Sequence, residues 1–275
     1  MRALAVALLG MAFVASACAE GETWAGLPRA QRAGADWETR VLQNPGFLVG
    51  YSESRRQPLW VAYRAETLKG TAPLPPRPRF EADPRVARGV SYFDYRGSHY
   101  TRGHLAPNYL IGKLYGADAQ RATFLMTNIS PQSQRLNELV WQRIEEAESD
   151  LVAPSAVQLW VLAGPLFDAH PETFRKGIAV PAAFYRIWLD LDRGQPRGLA
   201  FIVPQQVCGT EPLSGYLASV DQIEQRAGLD FFSELPDAQE DALERSRSPD
   251  GWRLDRFDRR MPRYGDKFDT SQCEH

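Results

Sequence analysis

The chain has 275 residues, 44% of them hydrophobic and 24% charged, with a formal net charge of −2 at pH 7. That is the composition of a globular protein large enough for one sizeable domain. The slight acidity excludes a general polyanion binder, so any contact with nucleic acid must come from a local basic surface. Beyond the first residues no apolar run approaches the ~18 needed for a membrane-spanning helix, and none is expected.

Met1-Arg2, the apolar run from Ala3 to Ala15 and the small residues Ala15-Ser16-Ala17 read as a signal peptide over residues 1–18. A secreted or periplasmic protein is expected. Cys18 leaves two readings open. Ala15-Ser16-Ala17-Cys18 resembles a bacterial lipoprotein signal, with Ala15 where leucine is usual, which would place a lipid anchor on Cys18 and the protein at the outer membrane. Ordinary cleavage before Cys18, or after Ala19, is the other. Either way Cys208 and Cys273 remain, and an oxidising compartment would let them form a disulfide; two isolated thiols lack a structural zinc spacing.

Residues 19–44 are polar, with Trp24 and Trp37, and read as a linker with a short helix near Ala30 to Leu42. Phe47 to Tyr51 and Leu59 to Arg64 are β-rich runs around a polar turn, which predicts a hairpin. Residues 70–85 are too proline-rich for a helix or central strand. They read as an ordered loop or extended arm made basic by Arg77, Arg79 and Arg85. Phe124 to Thr127 is expected to be a short buried strand. A helix is expected from Arg135 to Val152, with Leu136, Val140, Ile144, Ala147 and Leu151 along one face. At about 100° per residue, Asn137 and Glu145 lie about 80° apart and can face one cleft. Strands follow at 157–164, 184–189 and 198–203, then a helix over 216–232 that Ser219 could cap with Gln222. From Pro236 polarity rises, and the arginines of 245–263 read as a solvated surface, with a nucleic-acid contact as the sharper alternative. The organisation expected is a domain over residues 45–236 and an Arg-rich extension over 237–275.

Two stretches carry the chemistry. One is Thr101-Arg102-Gly103-His104-Leu105-Ala106-Pro107, after Tyr95-Arg96-Gly97-Ser98; the other is Thr127-Asn128-Ile129-Ser130-Pro131-Gln132, continuing into Leu136-Asn137, Trp141 and Glu145. Cleaving a phosphodiester requires deprotonated water, neutralised phosphate charge and a stabilised leaving oxygen. A histidine suits the first task, and a hard divalent cation on oxygen ligands suits the others. His99, His170 and His275 sit in turn-like or polar contexts and are given no role. Trp60, Trp141, Trp160 and Trp188 read as core.

In this order and spacing the motifs resemble the DNA/RNA non-specific endonuclease family, the ββα-metal nucleases that include mitochondrial endonuclease G. The resemblance covers roughly residues 45–236. It implies an α+β, His-Me finger fold with a mixed or antiparallel sheet flanked by helices. It implies hydrolysis of DNA and RNA with Mg2+ as cofactor and Mn2+ as a substitute. His104 matches the general base, its Nδ1 held by a backbone carbonyl, and Asn137 the direct metal ligand. Glu145 matches the anchor of metal-bound waters, Arg102 an arginine beside the base, and Asn128 a residue shaping the site. The phosphate-binding arginine of the arm aligns with Arg77 or Arg79. Members often pair, which raises a homodimer with no interface signature in the sequence. Three departures stand out: Thr101 replaces the usual aspartate, Pro107-Asn108-Tyr109 replaces small residues, and Ser149 replaces an arginine. Thr101 keeps alive a catalytically inactive nucleic-acid-binding envelope protein. A phosphodiesterase on a non-nucleic-acid substrate is a further alternative.

Overall fold

The structure, a computed structural model, describes residues 21–68, 73–152, 158–175, 177–192, 194–261, 263 and 265–269. The expected signal peptide, with Cys18, and Cys273 lie outside the described residues. In chain order the strands are β1 (Arg29–Ala30), β2 (Arg40–Asn44), β3 (Phe47–Ser52), β4 (Gln57–Ala65), β5 (Thr101–His104), β6 (Ile129–Gln132), β7 (Leu159–Leu166), β8 (Thr173–Phe174), β9 (Ile178–Ala179), β10 (Ala183–Asp192), β11 (Gln195–Pro204), β12 (Leu217–Ala218) and β13 (Leu229–Asp230). The helices are α1 (Asn108–Tyr115), α2 (Ala117–Ala122), α3 (Gln142–Val152), α4 (Val220–Ala227) and α5 (Asp237–Arg245); a π-helical turn over Leu136–Trp141 leads into α3.

Seven strands form one antiparallel sheet in the order β12-β11-β10-β7-β4-β3-β2. Its strands are apolar at successive positions because both faces are covered, and alternate side chains enter two different cores. Val61, Tyr63, Val161, Ala163, Phe184 and Trp188 pack with Leu136, Val140, Ile144 and Ala147 under α3. Trp60, Ala62, Leu162, Tyr185 and Ile187 pack on the opposite face with Val220, Ile223 and Ala227 of α4 and Leu243 of α5. The β5–β6 ribbon stands apart from the sheet and leads through the π turn into α3. This strand–strand–helix unit carries the functional motifs.

The hairpin reading is borne out as β3 and β4, and Trp60, Trp141 and Trp188 are buried. Four expectations change. No helix forms over Ala30 to Leu42; Leu42 and Asn44 are buried between exposed Val41 and Gln43, a period of two, and β2 pairs with β3. Phe124, Met126 and Thr127 are buried but form no strand, because the one pairing of this stretch among the described residues is the Glu81–Leu125 bridge, after which Met126–Asn128 closes a 3-10 turn. The helix over 216–232 shortens to α4: Ser219 and Gln222 form the expected capping box, and Gly228, at φ 63°, ends it in the left-handed conformation. The tail is not a plain solvated surface, since α5 forms and Trp252, Leu254 and Phe257 enter the core beneath α3. Buried Arg143 donates to the carbonyls of Glu211 (2.8 Å) and Asp258 (2.7 Å), fastening that tail.

Candidate active site

His104 ends β5 opposite Ile129, and its carbonyl accepts a hydrogen bond from Trp141 Nε1 at 3.0 Å. The glycine before it is a matter of space. A Cβ on Gly103 would lie 1.9 Å from Oε1 of the buried Gln132. Asn128 is fully buried and secures the loop after His104. Its Oδ1 accepts from Ala106 N (2.9 Å), while Nδ2 donates to the carbonyls of Ala106 (3.0 Å) and Thr123 (2.9 Å). Asn128 therefore shapes the site through the backbone and does not line the cleft.

The His104 ring is gripped by aromatic packing, 4.8 Å from Phe124 edge-on and 5.4 Å from Phe80 between centroids. The proline-rich arm supplies Phe80 to this packing, and Nε2 is buried with no hydrogen-bond partner. Burial, then the nearby Arg77 charge, lowers the ring's pKa to about 3, so it is neutral at physiological pH.

Asn137 lies in the π turn. Thr101 Oγ1 donates to the Gln132 carbonyl at 2.9 Å and accepts from Asn137 Nδ2 at 3.0 Å. That chain fixes the amide's orientation and leaves Oδ1 as the acceptor on the cleft side, the donor type a hard cation needs. Two turns on, Glu145 Oε1 is buried without a hydrogen-bond donor, 3.8 Å from Arg186 Nη1. Burial raises the Glu145 pKa to about 8, Arg186 opposing and Glu148 and Glu146 reinforcing the rise. An uncommitted amide oxygen and, two turns away, an under-satisfied carboxyl fit a divalent cation. Below them, Arg186 and Glu148, both fully buried, form a two-point pair. Tyr63 and Trp188 also donate to Glu148, and Arg186 donates to the Leu105 carbonyl beside the histidine.

His104, Arg102, Asn137, Glu145 and Arg77 line one cleft of about 880 Å³; Arg79 and Asn128 do not. Of the two arginines of the arm, it is Arg77 that faces the cleft, its guanidinium 5.5 Å from the Phe124 ring centre. Arg102 stacks 4.3 Å from the Tyr92 ring centre and has no carboxylate partner among the described residues. His99 is an exposed turn residue at φ 63°. Arg260 and Arg263, within the stretch the sequence read as solvated surface or, alternatively, nucleic-acid contact, line the cleft beside Ser149 and Asp150, with Arg260 paired to Asp150 at 2.5 Å. Their only sequence signal was the arginine density of the tail.

The family model of the DNA/RNA non-specific endonucleases matches residues 31–238. Mitochondrial nuclease EXOG of Xenopus laevis is 29% identical over 217 residues, covering 72% of this chain and 59% of that protein. The chain thus spans less than two thirds of the EXOG length. Human mitochondrial endonuclease G is 28% identical, with 70% and 69% covered. The Serratia marcescens nuclease is 27% identical, with 65% and 69% covered. A crystal structure of EndoG in complex with EndoGI superposes with a TM-score of 0.65 at 23% identity, covering 72% of this chain and 88% of that one, which shows the shared fold.

Proposed function

Because this chain belongs to the DNA/RNA non-specific endonuclease family, we propose that it is an exported, Mg2+-dependent endonuclease that hydrolyses DNA and RNA with little sequence preference. The observation that carries this reading is the convergence of His104, Asn137 and Glu145 on one arginine-lined cleft. Asn137 Oδ1, with Glu145 behind it, would hold Mg2+, whose chemistry when bound is to neutralise phosphate charge and stabilise the leaving 3′-oxygen. Mn2+ suits the same oxygen donors.

The His104 imidazole, kept neutral by burial, accepts a proton from water in the cleft. The hydroxide forms a bond to phosphorus as the bond to the 3′-oxygen breaks; that oxygen takes up a proton from solvent, and His104 returns its own. The products carry 5′-phosphate and 3′-hydroxyl ends. Arg102, over the Tyr92 ring, and Arg77 hold phosphate oxygens, and Arg260 and Arg263 extend that grip along the strand. Contacts to phosphate rather than base edges account for sequence indifference.

The signal-peptide pattern of residues 1–18 supports a secreted or periplasmic location, with a lipid anchor at Cys18 as one form of it. A Cys208–Cys273 bridge belongs to the same reading. Arg135 donates to the carbonyls of both Cys208 and Asp269, which sets the described end of the tail beside Cys208. A homodimer is retained as part of the proposal from the resemblance alone.

The discriminating experiment supplies the purified mature protein with plasmid DNA, long RNA and a small synthetic phosphodiester in Mg2+. Cleavage of both polymers to 5′-phosphate ends is expected. Turnover of the small diester alone would favour the non-nucleic-acid substrate, and DNA binding without cleavage the inactive binding protein.

A further inference from the structure

On the face of the sheet opposite the cleft, α4 and α5 bring three carboxylates together. Asp221 and Glu224 lie three residues apart on α4 and share a face; Glu244 comes from α5. Oxygen atoms of all three lie within 4.8 Å of one another. Glu224 and Glu244 are each 7% exposed, whereas Asp221 stands at the solvent edge. Glu224 Oε1 accepts from Phe231 N at 2.6 Å, but Glu244 Oε1 is buried with no hydrogen-bond partner.

Compensating charge is missing. The groups acting on Glu244 are the carboxylates of Glu224, with which it shares a side-chain hydrogen bond, Glu240 and Asp221, and those on Glu224 include Asp230 and Asp221. The arginine of α5, Arg245, is committed to Asp241 on the exposed side at 2.7 Å. None of the ion pairs found among the described residues involves Asp221, Glu224 or Glu244. Burial, together with this repulsion, lifts Glu224 to about 7 and Glu244 to about 9.

A cluster of this kind needs either protons or a cation. One shared proton satisfies two carboxylates, not three, and leaves Asp221 repelled. An all-oxygen set favours a hard cation, and Ca2+ binds oxygens at ~2.3–2.6 Å, so opposite ligands sit just under ~5 Å apart. Separations of no more than 4.8 Å admit that range, and the irregular geometry that Ca2+ tolerates suits ligands from two helices better than the near-ideal octahedron Mg2+ demands. The open Asp221 side admits the ion and its remaining waters. We propose that Asp221, Glu224 and Glu244 form a Ca2+ site that ties α4 to α5, separate from the cleft. Its role is structural: it braces the start of the C-terminal segment that carries Arg260 and Arg263 to the cleft.

The test titrates Ca2+ into the EDTA-stripped full chain, following heat of binding and the thermal midpoint. Asn137→Ala serves as the parent, so that the cleft does not contribute. One bound Ca2+ and a midpoint that rises with Ca2+ are expected. Glu244→Gln and Asp221→Asn should each weaken binding at least about tenfold and remove the rise, while leaving the midpoint in EDTA unchanged or higher. If Glu244→Gln does not fold, Asp221→Asn at the solvent edge decides. A parent that takes up no Ca2+, or uptake that both substitutions leave unchanged, overturns the proposal. A higher EDTA midpoint in Glu244→Gln with no Ca2+ response in the parent would assign the cluster to shared protons. None of these readouts depends on nuclease activity.

Discussion

Thr101 uses its hydroxyl twice, donating to Gln132 and accepting from Asn137, and so does with a neutral group what an acceptor at this position must do for the Asn137 amide. Thr101→Val keeps the shape and removes both bonds. It should weaken metal affinity or cleavage by about 10- to 100-fold, with Thr101→Ser close to wild type, in a Mg2+ titration of the cleavage rate. Burial of the site also sets two opposed pH effects in EDTA. His104 is held at about 3 against an ordinary 6.5. As pH falls through that window the unfolded chain takes a proton that the native ring refuses, so stability is lost. Glu145 is raised from 4.5 to about 8. As pH rises through that window the unfolded carboxyl ionises first, so stability is lost in the other direction. Denaturation midpoints measured against pH should show His104→Ala flattening the loss towards acid and Glu145→Gln flattening the loss between pH 4.5 and 8.

At the scale of elements, helical spacing made Asn137 and Glu145 legible as neighbours, because a π turn at one end alters the rotation without taking either residue off the cleft. The motif around His104 was legible for a different reason: a glycine under a buried glutamine and an asparagine bonded to the next backbone segment leave few substitutes. What could not be read was made by distant chain segments. Phe80 from the proline-rich arm packs on the histidine ring, and Arg186 on β10 reaches Glu148 on α3, 38 residues apart in sequence. The short strands and the true ends of α4 were missed where β pairing captured residues that helical patterning had claimed. The Glu148–Arg186 pair is the support common to Glu145, Leu105 and the sheet. Glu148→Gln should lower stability by about 3–5 kcal/mol, because it leaves a fully buried guanidinium undercompensated; chemical denaturation measures it.

Across the whole molecule the tail completes a cleft whose His104, Asn137 and Glu145 lie more than a hundred residues earlier. Trp252, Leu254 and Phe257 anchor it in the core, Arg143 fastens Asp258, and Arg260 and Arg263 then reach the cleft rim. Where members of the family often carry an arginine, this chain has Ser149, and Arg260 lines the same part of the cleft from the tail. Arg260→Ala and Arg263→Ala should each weaken DNA binding about equally across sequences and reduce the salt slope by about 1. Trp252→Ala should lower stability by about 3–5 kcal/mol and weaken binding through both arginines together. The central claim, that His104 and Asn137 form a metal-dependent nuclease centre, is tested most directly by digesting plasmid DNA with wild type, His104→Ala and Asn137→Ala in Mg2+ and in EDTA. Cleavage by wild type in Mg2+ alone, abolished by either substitution while both variants still bind DNA, is the predicted result; cleavage that survives in His104→Ala, or in wild type with EDTA, would contradict it.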